Sequence, residues 1–285
     1  MRILTHCPQR VKYLLSLSSP FLKRLVRKKK FGRHGHDWQK IFQYLLVKQA
    51  CNLTYRDLEA ATGIHYSTFV KARKEFAKRE VFLKFFRHIV KQLILKKQIT
   101  CESVAIDGSF VETYSKKKEV GSAYWGKTEA HGFKLHALVD TQTEIPIALV
   151  ITDGKKHDSQ LLIPLCKKLT GYHLSPSYII ADKGYDSDDL VFFIAKKLGA
   201  LASIPIRAKH KQGGLNVETK MIGRTSDKAI YRKRTSVERV FSYLKGSYHL
   251  GKEKMRGVNN FLINVFLSAI CLVMEKCRGW KIRVL

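Results

Sequence analysis

The sequence predicts an α/β fold in which a mixed sheet is flanked by helices and preceded by a small all-α domain. Apolar residues recur at helical spacing between residues 37 and 98. From about residue 102, short apolar runs of strand length alternate with helical segments. The 285 residues are enough for one large domain and one small one. We therefore divide the chain into a basic helical region, 1–98, and an α/β domain, 99–285.

The helical region contains a candidate helix-turn-helix. A first amphipathic helix is indicated by apolar residues at positions i, i+3, i+4 and i+7: Trp38, Ile41, Phe42 and Leu45. Thr54 can cap a second helix, YRDLEAAT, and Gly63 can end it in a left-handed conformation. The segment IHYSTFVKARKEFAKR then supplies the second helix of the motif.

The last of these helices has one apolar face and one polar face. Its buried face is predicted to consist of Phe69, Ala72 and Phe76. Its other face would present four side chains to a DNA groove: Tyr66, Ser67, Lys71 and Lys74. An ordinary helical hairpin with solvated lysines is the alternative, because this motif is short and degenerate.

The α/β domain shows a regular order of elements. Three strands are predicted at 103–106, 132–140 and 145–152, the last two joined by a turn that contains Thr and Gln. They are followed by a helix at 158–169, a strand at 178–181, a helix at 187–198, a strand at 200–206 and helix from about 231. This order of strands and helices is that of the ribonuclease-H fold.

The charge of the chain indicates a polyanionic partner. Lys and Arg total 53 against 23 Asp and Glu, a formal charge of +30, and the first acidic residue is Asp37. Each phosphate contact made by a basic side chain releases condensed counterions, which favours nucleic acid or an anionic membrane over a small neutral ligand. A basic composition shared by the whole proteome is the alternative explanation.

Neither a membrane span nor secretion is expected. The best apolar run, FLINVFLSAICLVM at 261–274, is shorter than the ~18–20 residues that a bilayer span needs, and we interpret it as a buried core helix. Basic residues interrupt the N-terminus before a signal-peptide pattern can form. The six cysteines contain no C-x-x-C pair, which is typical of reduced cytosolic residues.

Two aspartates follow predicted strands. Asp107 is expected to end the first strand, in AIDGS, and Asp182 the fourth, in IIADKGYDS. The carboxyl ends of strands line the crevice of an open α/β sheet, so both acids can face one cleft and offer oxygen ligands to a hard cation. Each could instead be a turn residue that bonds its own backbone, as the nearby Gly108 and Gly184 allow.

A third carboxylate lies in YRKRTSVERVFSYLK, residues 231–245. On a single helix, four residues spaced three, four and seven apart share one face: Tyr231, Arg234, Glu238 and Lys245. Glu238 could ligand a metal while the basic and phenolic groups hold phosphates beside it. In isolation, the same segment would be interpreted as a surface helix with an ion pair between Arg234 and Glu238.

Together these motifs resemble the DDE transposases of bacterial and archaeal insertion sequences, in the broad insertion-sequence four and five groups. The resemblance covers residues 102–275. It rests on DGS at 107, GFKLHALVDTQTEIPIALVITDGKKHDSQLL at 132–162, ADKGYDS at 181–187 and the pattern Y-x2-R-x3-E-x6-K. It implies a ribonuclease-H-like fold and a catalytic, metal-binding triad of Asp107, Asp182 and Glu238.

The resemblance also implies cofactors and partners. Two Mg²⁺ (or Mn²⁺) ions would clamp the scissile phosphate, water would free a 3′ hydroxyl at the element end, and that hydroxyl would attack target DNA. Contacts to double-stranded DNA are expected from Tyr231, Arg234 and Lys245. Apart from the resemblance, the place of Lys183 directly after Asp182 would let it reach a phosphate, and a solvated lysine is the alternative. A homodimer on DNA and a cytoplasmic, nucleoid-associated location are expected, without a membrane partner. Unlike relatives with a β-rich insertion, this chain joins its fifth strand to the Glu238 helix through residues 207–230 only.

Two alternatives remain open. A metal-dependent nuclease without strand transfer would share the fold and the acids. A non-catalytic DNA-binding protein descended from a transposase is disfavoured because all three acids are present.

The motif KKHDSQ also matches the family pattern, although its role is not evident. Asp158 or Ser159 is expected to cap the following helix, and His157 has no assigned role. We interpret His131 and His136 as ordinary residues of the strand region.

Overall fold

A computed structural model of the protein describes residues 12, 19–26, 36–114, 116–207, 222–252 and 256–277. Its helices are α1 (Pro20–Val26), α2 (Trp38–Cys51), α3 (Tyr55–Thr62), α4 (Tyr66–Lys78), α5 (Val81–Leu95), α6 (Ser159–Gly171), α7 (Asp188–Leu198), α8 (Lys228–Arg232), α9 (Thr235–Lys245) and α10 (Val258–Lys276). Its strands are β1 (Ser103–Glu112), β2 (Ala123–Trp125), β3 (Ala130–Asp140), β4 (Ile145–Asp153), β5 (Tyr178–Ile180) and β6 (Leu201–Ser203). A short 3₁₀ helix, Lys183–Tyr185, follows β5.

The chain packs as two compact units. A helical unit comprises Met1–Val90, Tyr243–Met255 and Asn259–Leu285, and an α/β unit comprises Lys91–Ser242 and Arg256–Val258. The first division falls near the boundary predicted at residue 98. The sequence assigned α10 to the α/β domain, whereas almost all of it packs in the helical unit. That residues 1–98 act as a DNA-binding region stays a prediction.

Buried polar contacts explain why α10 packs with the N-terminal helices. The Arg73 guanidinium in α4 donates to Oδ1 of Asn260 and Oδ1 of Asn264, both at 2.7 Å. Gln49 in α2 donates to the Ser268 hydroxyl at 3.0 Å. A polar side chain inside an apolar helix needs such a partner once it is buried, so these bonds fix the position of α10.

The helix α10 is the core helix that the sequence predicted. It is long and apolar enough to cross a membrane by length and composition. However, all its residues from Ile263 to Met274 are buried, and Phe266 packs against Phe86 with ring centroids 5.6 Å apart. The helix is longer than the predicted 261–274 because it starts before the apolar run and continues past it.

The helix-turn-helix forms as predicted. Thr54 Oγ1 accepts from the Asp57 backbone at 3.1 Å, and the Asp57 carboxylate accepts from the Thr54 backbone at 2.7 Å, a reciprocal cap of α3. Gly63 ends α3 with a φ of 71°, in the left-handed region that favours glycine. The His65 side chain then caps α4 by accepting from the Ser67 backbone.

The two faces of α4 also agree with the sequence. Phe69, Ala72 and Phe76 are buried. Of the four predicted groove residues, Tyr66, Lys71 and Lys74 are exposed and Ser67 is half-buried. The shape and exposure of the motif suit DNA docking, and docking itself stays a prediction.

The sheet has the topology of the predicted class. β1 pairs antiparallel with β3 on one side and parallel with β5 on the other, β3 pairs antiparallel with β4 and β2, and β5 pairs parallel with β6. The core of this unit lies on β1 and β3, where long runs of side chains are buried. The strand β2 was not predicted.

The length of β1 differs from the prediction. The strand continues to Glu112, so Asp107 lies inside it and does not end it as expected. The reason is the long antiparallel partner β3, which stays paired as far as Gly132 opposite Glu112. Backbone pairing therefore carries the strand past the end of its apolar run.

We predict that Arg73→Met destabilises the protein by about 1–3 kcal/mol. The change leaves the buried Asn264 oxygen without its donor, which costs the desolvation of that group. Urea unfolding of the full chain measures the effect. The control is Lys74→Met, at an exposed neighbouring position of α4; equal unfolding free energies for the two variants would contradict the role given to Arg73.

Candidate active site

Two of the three predicted acids lie on or just after neighbouring parallel strands: Asp107 is in β1, and Asp182 follows β5. Ala105 in β1 pairs with Ile180 in β5, and Asp107 and Asp182 each follow two residues later. Asp182 caps the 3₁₀ helix, with its Oδ1 accepting from the Gly184 backbone at 2.7 Å. The strand register thus supports the expected approach of these two carboxylates.

The electrostatics of Asp107 reflect its neighbours. Burial has the largest effect on the pKa of Asp107 and raises it. The backbone N–H of Gly108, which donates to Oδ1 at 2.8 Å, lowers this pKa, and the carboxylate of Asp182 raises it. The net pKa of Asp107 is about 6. The Arg234 guanidinium opposes this by favouring the ionised form of Asp107. The site thus holds a partly buried carboxylate that is easily protonated unless a cation lies beside it.

Arg234 links Asp107 to the third acid. Its Nη1 lies 3.3 Å from Asp107 Oδ2, and its Nη2 lies 2.5 Å from Glu238 Oε1. The helix that carries Glu238, α9, is held against the β3–β4 turn by an ion pair between Arg239 and Glu144. One guanidinium therefore bridges two of the predicted metal ligands.

The segment 231–245 is not one helix as expected. Helix α8 ends at Arg232 and α9 begins at Thr235, so Arg234 lies in the junction. Tyr231 stays beside it, with the Arg234 guanidinium 6.0 Å from the ring centroid. Glu238 still lies one helical turn after Arg234, whereas Lys245 ends α9 in the helical unit.

Asp158 occupies the N-cap position of α6, as expected, but its side chain does not cap the helix. It makes no side-chain capping bond; instead the His157 ring accepts from the Ser159 backbone at 3.4 Å. One Asp158 oxygen lies 2.7 Å from Lys134 Nζ, and the other lies 3.2 Å from His136 Nδ1. Burial alone would raise the pKa of Asp158, but these two contacts outweigh it and lower the pKa below its usual range.

The approach of Asp158 to β1 depends on Gly108. A Cβ at Gly108 would lie 2.1 Å from Asp158 Oδ1 and 3.0 Å from His136 Nδ1. Side chains alternate between the faces of a strand, so this cluster lies on the opposite face of β1 from Asp107. Asp158, His136 and Lys134 therefore support the back of the strand that carries Asp107.

An ion pair and hydrogen bonds also fix the loop after Asp182. Asp186 forms a buried ion pair with Arg224 at 2.7 Å and accepts from the Arg207 backbone at 2.8 Å. Arg207 in turn donates to the Lys183 carbonyl at 2.7 Å. These bonds hold the ADKGYDS segment and leave the Lys183 side chain exposed, as a phosphate contact would require.

Comparisons with known proteins identify the family of the chain. Residues 102–274 match the family described as the transposase DDE domain. A transposase assigned to insertion sequence element IS6501 of Brucella ovis is 32% identical over 112 residues, which is 39% of this chain and 75% of that protein. The chain belongs to the DDE transposase family.

The structural comparison shows the fold of this transposase. A cryo-EM structure of the piggyBac transposase synaptic complex with hairpin DNA superposes with a TM-score of 0.52 and 12% identity, covering 97% of this chain and 76% of that one. The predicted ribonuclease-H-like class, an open mixed sheet flanked by helices and preceded by a helical region, is therefore confirmed.

The DDE transposase family generally uses divalent metal ions, so the donor atoms of the candidate site can be compared with the ligands that such ions prefer. Asp107 and Asp182 offer only oxygen donors, which suits a hard cation, and their mutual repulsion favours one. Within the described part of the chain, no three His, Cys, Asp or Glu side chains converge closely enough to hold an ion. The reason is Arg234, which engages Glu238 and Asp107 from between them. The oxygen donors of Asp107 and Asp182 thus fit the chemistry of a metal ligand, whereas the Glu238 carboxylate is engaged by Arg234.

We predict that Gly108→Ala lowers the free energy of unfolding by about 1–3 kcal/mol, because the added methyl group overlaps Asp158 Oδ1 and forces it off Lys134. Thermal or urea unfolding measures this loss. Gly126→Ala is the matched control, since nothing lies within 4 Å of a Cβ there. A Gly108 variant as stable as the Gly126 variant would show that Asp158 does not press on β1.

A second prediction concerns pH. Because the pKa of Asp107 rises to about 6 in the folded protein, the folded state holds its proton more tightly than the unfolded state. The free energy of unfolding should therefore fall as pH rises from about 4, the usual value for Asp, to about 6. Asp107→Asn should flatten that fall and stabilise the protein at pH 7 by on the order of 1–3 kcal/mol.

The measurement is urea unfolding across this pH range in EDTA. Asp189→Asn, which removes an exposed carboxylate of α7, is the control. An unchanged pH dependence in the Asp107 variant would mean that burial does not perturb this group.

Proposed function

We propose that this transposase binds the ends of its mobile element, hydrolyses a phosphodiester there and joins the freed 3′ end to target DNA at the same site. Asp107, Asp182 and Glu238 are the proposed catalytic acids. The observation that carries the proposal is the register of β1 and β5, which supports the pairing of Asp107 with Asp182 beside the arginine that holds Glu238. The family assignment supports the same set.

Asp107, Asp182 and Glu238 would hold two Mg²⁺ or Mn²⁺ ions. Bound divalent ions supply Lewis-acid activation of the attacking oxygen and neutralise charge on the leaving one. The chain contributes carboxylates on a strand and a helix whose positions are fixed by neighbouring ion pairs, so little entropy is lost when ligands bind.

Arg234 has a second task in this proposal. Its guanidinium can donate two parallel hydrogen bonds to a phosphate in place of the two carboxylates, because the fork of N–H groups matches the geometry of either anion. When DNA enters, Arg234 would move from Asp107 and Glu238 to a phosphate next to the scissile bond. This exchange would release Glu238 for the metal site only when substrate is present. The Tyr231 hydroxyl would hold a neighbouring phosphate.

DNA contacts outside the acids complete the proposal. Tyr66, Ser67, Lys71 and Lys74 on α4 would read the element end in the major groove. Lys183 and Lys245 would bind phosphates, and a homodimer would bring two ends together. The overall charge of +30 supports a DNA partner and a location at the nucleoid in the cytoplasm.

We predict that Asp107→Asn, Asp182→Asn and Glu238→Gln each reduce DNA cleavage by at least about 10³-fold, because each removes a charged ligand for the ions that stabilise the transition state. The substrate is duplex DNA that carries the inverted repeats flanking the coding region. Gel analysis in Mg²⁺ measures cleavage, and a second labelled duplex detects joining. End binding should stay within about threefold of wild type, because phosphate contacts remain.

The control is Glu102→Gln, an exposed carboxylate of the same unit. If one of the three variants cleaves at the wild-type rate, that acid is not catalytic. Cleavage by the wild type without any joined product would replace the proposal with a nuclease that lacks strand transfer.

A further inference from the structure

The segment between β1 and β3, described at residues 113, 114 and 116–129, forms an arm with β2 at its centre; we name it the β2 arm. Its backbone is tied to the start of β3: the Thr113 N–H donates to the His131 carbonyl at 2.9 Å, and the His131 N–H donates to the Lys116 carbonyl at 3.1 Å. The Thr113 hydroxyl donates to the Lys117 carbonyl at 2.9 Å. These bonds hold a run of three lysines beside the start of β3.

The surface of the arm has the chemistry of a phosphate-binding site. Lys116, Lys117 and Lys118 are exposed. Tyr114 and Tyr124 are each 51% exposed, and the Tyr124 ring packs edge-on against His131 with centroids 5.6 Å apart. Lysine and tyrosine side chains are among the groups that contact DNA phosphates.

Lys116 has an acidic partner. It lies 3.6 Å from Glu112 in an exposed ion pair, which is weak and easily exchanged for a phosphate. The carboxylate of Glu119 accepts from the Gly257 backbone at 2.6 Å and so is directed to the protein. The side chains of all three lysines are exposed to solvent.

Tyr124 of the β2 arm lies on the sheet face that carries Asp107. Asp107 pairs with Ala137 in β3, and Tyr124 in β2 pairs with His131. Paired residues share a face and alternate residues of a strand return to it, so Tyr124, His131 and Asp107 lie on one face of the sheet. Ala137 follows His131 by six positions in β3, which corresponds to ~20 Å along the strand at ~3.3 Å per residue.

A recess beside the lysines adds room for a ligand backbone. The cavity has a volume of about 540 Å³ and is lined by Lys118, Ser122 and Arg256 among others. Lys118 and Arg256 are donors suited to phosphate oxygens, whereas the Ser122 hydroxyl already donates to the Glu119 carbonyl at 2.8 Å. The recess therefore adds a second cation, Arg256, next to Lys118 of the arm.

We propose that the β2 arm binds the phosphate backbone of duplex DNA about six base pairs from the scissile phosphate, since a duplex advances ~3.4 Å per base pair over this ~20 Å. The location of this site rests on the proposed function, which places the scissile phosphate at Asp107. The arm would position the DNA along the sheet face and would not take part in the chemistry.

The first test measures binding of the full-length protein to a random-sequence duplex of about 30 base pairs as salt is varied. The triple variant Lys116→Ala, Lys117→Ala, Lys118→Ala should bind on the order of tenfold more weakly, and its slope of log K against log salt should shrink by about three. The matched control removes three exposed lysines from α6 and α7: Lys167→Ala, Lys168→Ala and Lys196→Ala. Equal losses in the two triple variants would overturn the proposal.

The second test locates the contact. On DNA whose cleavage position has been mapped with the wild type, hydroxyl-radical footprinting should show that the arm variant loses protection about six base pairs from that position. Tyr124→Phe should weaken protection at the same place, because only the hydroxyl is removed. Loss of protection elsewhere would refute the assigned location. A protein that cleaves no DNA would refute the proposed function, and the salt slope would still decide whether the arm binds DNA.

Discussion

The accumulation of negative charge around Asp107 is the constraint on which the site depends. Burial raises the pKa of this carboxyl to about 6, and Asp182 and Asp158 add to the effect. Two cations make the arrangement tolerable: Arg234 on the face that carries Asp107, and Lys134 behind the strand on Asp158. Since unlike charges lie on both sides of β1, acids can gather there without unfolding the strand. The same crowding favours a divalent cation or an arginine in the cleft.

Much of the fold could be predicted because its signals are local. The capping box at Thr54, the left-handed end at Gly63 and the order of strands and helices are all encoded within a few residues. The features of the fold that the sequence did not predict depend on partners distant in sequence. The second half of β1 exists because β3 pairs with it, and its pattern of burial is irregular. The strand β2 has three residues, too few for a periodic signal.

The candidate site shows the same limit. The Arg234–Glu238 pair could be predicted from its spacing of four, and the two aspartates from their strands. The contact from Arg234 to Asp107 joins residues 127 positions apart and leaves no local signal. The segment YRKRTSVERV contains neither proline nor glycine, and the local signal for the break before α9 is Thr235 three residues before Glu238, the spacing of a capping box. For Asp158 a signal was available: Lys134 and His136 alternate along β3 and so share a face, and one carboxylate can serve both.

Strand alternation gives the two faces of this sheet different tasks. On the face opposite Asp107, side chains serve packing: Gly108 admits Asp158, and the Phe110 ring lies tilted against Trp125 with centroids 4.6 Å apart. A substitution there acts on the site only through the backbone of β1. On the Asp107 face, Arg234 contacts Asp107 and Tyr124 packs against His131. We propose phosphate contacts for Arg234 and Tyr124, so substituting either one would change the affinity for DNA directly. A shift of β1 by one residue would exchange its two faces. The long register with β3 prevents that shift, and so keeps Asp158 and its partners on one face and Asp107 on the other.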